Sequence, residues 1–131
     1  LKTKVPQDLV PIPIDSESIY RCMVNLIQNA IEAFQEESAR AEGREIVVEV
    51  RPSPEGGVTY WVRDNGPGID AENQQHIFKG FFSTKGTAGT GIGLMMTKRV
   101  IERHGGRIDL RSGRGAGTCF TLHLPAHPPD R

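Results

Sequence analysis

Gly89-Thr90-Gly91-Ile92-Gly93-Leu94 places a glycine at every second position and opens a helical run that ends in His104-Gly105-Gly106. Alternating glycines let backbone N–H groups approach an anion with no Cβ in the way, and the helix dipole adds partial positive charge there. The chemistry that suits this arrangement is the cradling of a polyphosphate. Taken alone, the stretch is also compatible with a flexible turn.

Two further groups carry chemistry. Asn25 and Asn29 stand four apart in an otherwise apolar helical pattern, so both project to one side. Taken singly, each reads as a structural hydrogen-bonding amide; taken with the rest of the chain, the Asn29 carbonyl oxygen suits a hard cation such as Mg²⁺ shared with nucleotide phosphates. Asp64-Asn65-Gly66-Pro67-Gly68 follows directly on a strand pattern. It has turn chemistry. A carboxylate at a strand end, with glycines clearing space beside it, also accepts a hydrogen bond from an amino group such as adenine N6, and Thr118 would bring a hydroxyl to the same ring.

The elements that must position these residues follow from periodicity. Asp15-Ser16-Glu17-Ser18 offers an N-cap and an acidic first turn, and Ile19, Met23, Leu26, Ile27, Ala30 and Phe34 recur at helical spacing, predicting a long helix that ends near Ala41 to Gly43. Glu45 to Val50 and Val58 to Arg63 alternate as strands about the turn Ser53-Pro54-Glu55-Gly56-Gly57, a hairpin. A short helix is predicted over Asp70 to Ile77 and a second long one over Leu94 to His104, stopped by Gly105-Gly106. Arg107 to Arg111 and Thr118 to Leu124 read as strands joined by a turn over Ser112 to Gly117. Between the helices, Gly80 to Gly93 has no periodicity; a loop of this length is expected to be functional and, its glycines being costly to fix, disordered without ligand. Together these elements predict one α/β domain, a two-layer sandwich of a mixed, mainly antiparallel sheet of about five strands with about three helices on one face. Its ordered core is expected over about residues 9 to 125, with 126 to 131 as a tail.

Composition agrees with a globular domain. Lys and Arg number 16, as do Asp and Glu, so the formal net charge is zero, which gives no reason to expect nucleic acid or an anionic membrane as partner. No stretch is long and apolar enough to span a bilayer, the start Leu1-Lys2-Thr3-Lys4 does not read as a signal peptide, and the absent initiator Met suggests a piece of a longer chain. Cys22 and Cys119 each read as a small buried hydrophobe in a reducing compartment. His76, His104, His123 and His127 lack ligand spacing.

The order of the motifs is more specific than any one of them. Paired asparagines on a helix, Asp-x-Gly-x-Gly after a strand, Phe81-Phe82-Ser83-Thr84-Lys85, Gly-x-Gly-x-Gly opening a helix and Gly-x-Gly-x-Gly-Thr before a strand resemble the GHKL (Bergerat-fold) ATP-binding superfamily. Within it the chain is similar to the catalytic and ATP-binding domain of bacterial sensor histidine kinases, in motif style nearest the nitrogen-regulatory subgroup. The resembling stretch runs from about Asp15 to Pro125. The N box matches Asn25 to Ala30, the G1 box Asp64 to Gly68, the F box Ile77 to Lys85 and the G2 box Gly89 to Leu94.

The resemblance implies ATP and Mg²⁺ as cofactors and transfer of the γ-phosphoryl group to a histidine on a separate dimerisation domain, with a response regulator downstream. In that frame Asn29 ligates Mg²⁺, Asp64 reads the adenine amino group, and Gly66, Gly68 and Ile69 wall the adenine pocket. Gly89, Thr90, Gly91, Ile92, Gly93 and Leu94 meet the phosphates, Thr118 lies near the base, and Lys85, with Lys98 and Arg99 held more loosely, borders the phosphate side. Related ATPases and anti-sigma serine kinases place a glutamate general base where this chain has Asn25; an amide cannot take that proton, which disfavours hydrolysis, whereas a neutral imidazole acceptor needs less help. Glu32 stands where many histidine kinases carry a lysine, so no phosphate contact is assigned there. The phosphoacceptor box, a receiver and a sensor domain are all missing, and the isolated chain is expected to be monomeric and cytoplasmic, without direct membrane contact.

Overall fold

The computed structural model describes residues 1–5, 15–35, 42–54, 56–78 and 92–126. Its elements are β1 (Lys2–Lys4), α1 (Ser16–Ala33), β2 (Ile46–Pro52), β3 (Val58–Asp64), α2 (Ala71–Gln74), α3 (Ile92–Arg103), β4 (Arg107–Gly113) and β5 (Gly117–Leu124). The strands form one sheet in the order β1-β2-β3-β5-β4. The β1–β2 pair is parallel and the others antiparallel, as expected of a mixed, mainly antiparallel sheet.

Alternation decides which face is buried. Ile46, Val48 and Val50 on β2, Val58 and Val62 on β3, and Phe120, Leu122 and Leu124 on β5 turn to one side. There they join Ile19, Cys22, Leu26 and Ala30 of α1, Ile101 of α3 and Ile77, just past α2, in a single apolar cluster. The helices therefore share one face of the sheet, giving the predicted two layers. Cys119 points to the other face and is only half-buried, so the expectation of a buried thiol holds for Cys22 alone.

α1 and α3 lie antiparallel, joined where α1 begins and α3 ends and again between the middle of α1 and the first half of α3. Asp15 caps α1 by accepting from Ser18 N–H and the Ser18 hydroxyl, while its own N–H donates to Nε2 of His104 at 3.2 Å. Nδ1 of His104 lies 2.8 Å from the Val100 carbonyl, which can only accept, so the proton sits on Nδ1. α3 stops in a Schellman motif: Gly106 N–H reaches the Ile101 carbonyl and Gly105 N–H the Glu102 carbonyl, with Gly105 at φ 77°.

Three boundaries differ from expectation. α1 ends at Ala33 rather than near Ala41, because Phe34 turns into the core and the last N–H groups tighten to i−3 carbonyls, Phe34 to Ile31 and Gln35 to Glu32. α2 stops at Gln74, with turns carrying the chain on to Phe78. Ser112 and Gly113 belong to β4, so the β4–β5 turn is only Arg114-Gly115-Ala116. β1, too short to show alternation, pairs with the outer edge of β2.

Candidate functional site

The register of the sheet assembles one rung from three distant segments. Asp64 on β3 pairs with Thr118 on β5, and Thr118 pairs with Ser112 on β4. All three stand on the helix-facing side, one step beyond Val62, Phe120 and Leu110. The apolar layer thus ends in a polar row, which the segment Asn65 to Ile69 crosses.

That crossing is tightly held. Asp64 Oδ1 accepts the Gly66 N–H at 2.9 Å, fixing the carboxylate. Ile69 N–H donates to Ser112 Oγ at 2.8 Å, and the Gln74 amide donates to the Ile69 and Ser112 carbonyls. Asn65 is spent on structure: its amide accepts from Glu45 N–H and donates to the Gly43 carbonyl. Gly68 has φ 82°, and a Cβ there would fall 2.0 Å from the Gly113 carbonyl oxygen; a Cβ on Gly117, φ 78°, would fall 2.1 Å from that of Asp64. Both glycines are therefore demanded by backbone approach.

α1 passes across this end of the sheet. The Cβ position of Gly66 lies 3.6 Å from Ala33 Cβ, so the last turn of α1 touches the Asp64 loop. Two turns earlier, Asn25 meets α3: its Nδ2 donates to Thr97 Oγ1 at 3.5 Å, and the Cβ that Gly93 lacks would lie 3.4 Å from its amide carbon. Asn29 lies between these contacts, about 6 Å of helix rise from each. The α1 spacing thus places position 29 between the level of the first turn of α3 and that of the Asp64 loop.

Of the residues expected from sequence, Asp64, Gly66, Ile69 and Thr118 are joined by pairing and hydrogen bonds, and Gly68 by its close backbone approach to Gly113. Asn25 and Gly93 touch, and Leu94 packs against the core. Ile92 begins α3, its side chain lying outside the described residues, as do Lys85, Gly89, Thr90 and Gly91. Lys98 holds its ammonium 5.5 Å from the centre of the Phe78 ring, which in turn meets Phe120 edge to face. Sequence reasoning missed Ser112, Gln74 and Thr97. Ser112 was hidden in an apparent turn, although Ile108, Leu110 and Ser112 do keep a two-residue period.

A family profile described as histidine kinase-, DNA gyrase B-, and HSP90-like ATPase matches residues 14–128. The chain is 39% identical over 119 residues to the sensor histidine kinase ZraS of Klebsiella oxytoca, covering 91% of this chain and 24% of that protein. It is 36% identical over 126 residues to the signal transduction histidine-protein kinase AtoS of Escherichia coli (strain K12), covering 96% of this chain and 20% of AtoS. The chain thus spans about a quarter or less of the length of these relatives. Among solved structures it is similar to the nucleotide-free catalytic domain of histidine kinase ThkA, with TM-score 0.77 and 31% identity, covering 96% of this chain and 78% of that one.

Proposed function

Because the chain belongs to the histidine kinase-, DNA gyrase B-, and HSP90-like ATPases, and among them to the histidine kinase catalytic domains, we propose that it binds Mg-ATP and donates the γ-phosphoryl group to a histidine on a separate dimerisation domain. The observation that carries this reading is the position of α1, which meets the Asp64 loop at Ala33 and the first turn of α3 at Asn25, with position 29 midway between the two contacts. The rung is suited to the adenine base, with Gly66, Gly68 and Ile69 as its wall. The start of α3, with Ile92, Gly93 and Leu94 and the preceding Gly89, Thr90, Gly91 and Lys85, is suited to the phosphates.

The residues present fit a hard cation. Asn29 offers an amide oxygen, and Glu32, one turn on, has a buried Oε2 with no hydrogen-bond partner among the described residues. Asn29 would hold Mg²⁺, which when bound neutralises phosphate charge. The chain's own part is to hold the base, orient the chain of phosphates and exclude water.

Asn25 favours transfer over hydrolysis. Its amide is turned into the α1–α3 seam toward Thr97, and it has no basic lone pair with which to activate water. The nucleophile in this reading is a neutral imidazole on the partner domain, from which a response regulator is then phosphorylated; this chain's own histidines are not the acceptors. No helix among the described residues is long and apolar enough to cross a membrane. The domain is proposed to act as a monomeric cytoplasmic unit of a longer kinase.

The test is to incubate the chain with γ-labelled Mg-ATP, alone and with a cognate dimerisation domain, following free phosphate and labelled protein together. Label on the dimerisation domain with little free phosphate is the expected result. Rapid phosphate release by the chain alone would make it a hydrolase, and absence of nucleotide uptake would make it a scaffold.

A further inference from the structure

Ser112 has no assigned part in nucleotide binding, yet its hydroxyl meets three partners. It lies 2.8 Å from Ile69 N, 2.8 Å from the Gly117 carbonyl oxygen and 2.9 Å from Thr118 Oγ1. A hydroxyl has one hydrogen and two lone pairs. A carbonyl only accepts, so the Ser112 hydrogen goes to Gly117. An amide N–H only donates, so one lone pair receives Ile69. The third contact must then run from the Thr118 hydroxyl to the remaining Ser112 lone pair, and the Thr118 hydrogen is committed.

We propose that Ser112 is a specificity-determining positioning residue: by holding the Thr118 hydrogen it leaves Thr118 Oγ1 an acceptor beside the Asp64 carboxylate, so that the rung selects a purine bearing a 6-amino group and rejects a 6-oxo purine. This rests on reading the rung as the base site. Asp64 and Thr118 are cross-strand neighbours on one face, close enough to address the same edge of a ring. Thr118 is buried, 7% exposed, so water compensates little for a mismatch. Two acceptors set against an exocyclic oxygen leave three polar groups unpaired, and sites built this way discriminate strongly against the wrong partner. With alanine at position 112 the Thr118 hydroxyl is free to rotate and donate to the 6-oxo group.

The experiment measures dissociation constants of ADP and inosine diphosphate by calorimetry on the unsubstituted chain and on Ser112→Ala, Ser112→Thr and Thr118→Val. The preference for ADP is expected to fall about tenfold in Ser112→Ala and to be largely retained in Ser112→Thr. Thr118→Val tests the same polarity without touching Ser112: loss of an acceptor lowers the preference, and a rise would mean that Thr118 donates and would overturn the proposal. An unchanged preference, or equal weakening of both nucleotides in Ser112→Ala, would overturn it too, leaving Ser112 as a brace for Ile69. If the unsubstituted chain binds neither nucleotide, the base-site reading falls with it; if it binds ADP and neither Ser112→Ala nor Thr118→Val changes the preference, only the Ser112 proposal falls.

Discussion

Gly93 is packed on Asn25: a Cβ on the glycine would stand 3.4 Å from the Asn25 amide carbon, at ordinary contact distance. The first turn of α3 and the middle of α1 therefore meet with room for one methyl group and no more. The site's two helices are set by that spacing, since α1 carries Asn29 and α3 carries the end of the glycine-rich stretch.

Gly93→Ala is accordingly expected to fold and to be more stable by up to about 1 kcal/mol, since its new methyl is accommodated and alanine favours the helix. Gly93→Leu has no such space and should cost about 2 to 3 kcal/mol by forcing α3 from α1. Urea unfolding of both variants checks this. An alanine variant that unfolds would mean that Asn25 leaves less than the 3.4 Å its amide carbon gives to a Cβ at position 93.

Gly68 and Gly115 make a second contrast. Their φ values are 82° and 78°, yet a Cβ on Gly68 meets the Gly113 carbonyl at 2.0 Å while one on Gly115 meets nothing within 4 Å. Gly115→Ala should cost only left-handed backbone strain, about 1 to 2 kcal/mol. Gly68→Ala adds a backbone collision and should cost about 3 kcal/mol or more. Equal unfolding midpoints for the two variants would refute the close approach.

Asp64→Asn keeps an oxygen to accept the Gly66 N–H, so the loop is expected to stay folded. It replaces one acceptor by a donor at the proposed base site. ADP affinity should fall about tenfold to a hundredfold, measured by calorimetry, with little change in unfolding midpoint. Unchanged affinity would remove Asp64 from the base site.

The Asp15 carboxyl is held below its ordinary 3.8, first by the Ser18 hydroxyl and then by Ser18 N–H. A carboxyl depressed in the folded state contributes stability above its unfolded value, and that contribution is lost as pH falls through the folded value. Ser18→Ala removes the largest cause. The chain should exceed this variant in stability by a constant margin at neutral and mildly acidic pH, the margin shrinking once pH drops below 3.8. Thermal midpoints across the acid range test it; a margin that widens with acid would reverse the sign.

Local features were legible wherever they depend on neighbours along the chain. The Asp15 cap, the apolar stripe of α1, the β2–β3 hairpin and the glycine stop after α3 all rest on hydrogen bonds and dihedrals spanning a few residues. The candidate residues were legible for another reason: Asn29, Asp64 and Thr118 recur in a fixed order with glycines, and that order carries the family. The end of α1 was misjudged because residues 35–41 suit a helix, while Phe34 leaves it to fill the core.

By itself, then, the sequence determined the element types, the sheet's alternation and the motif order, since periodicity and turn chemistry are short-range. Only the tertiary structure decided that β1 joins β2, that Asn25 and Gly93 touch, and that Asp64, Thr118 and Ser112 share a rung. Strand register and helix spacing are fixed by how all the side chains fill one apolar layer together. The Thr118 proton follows from that layer's last row, where three hydroxyl contacts leave it a single place to go.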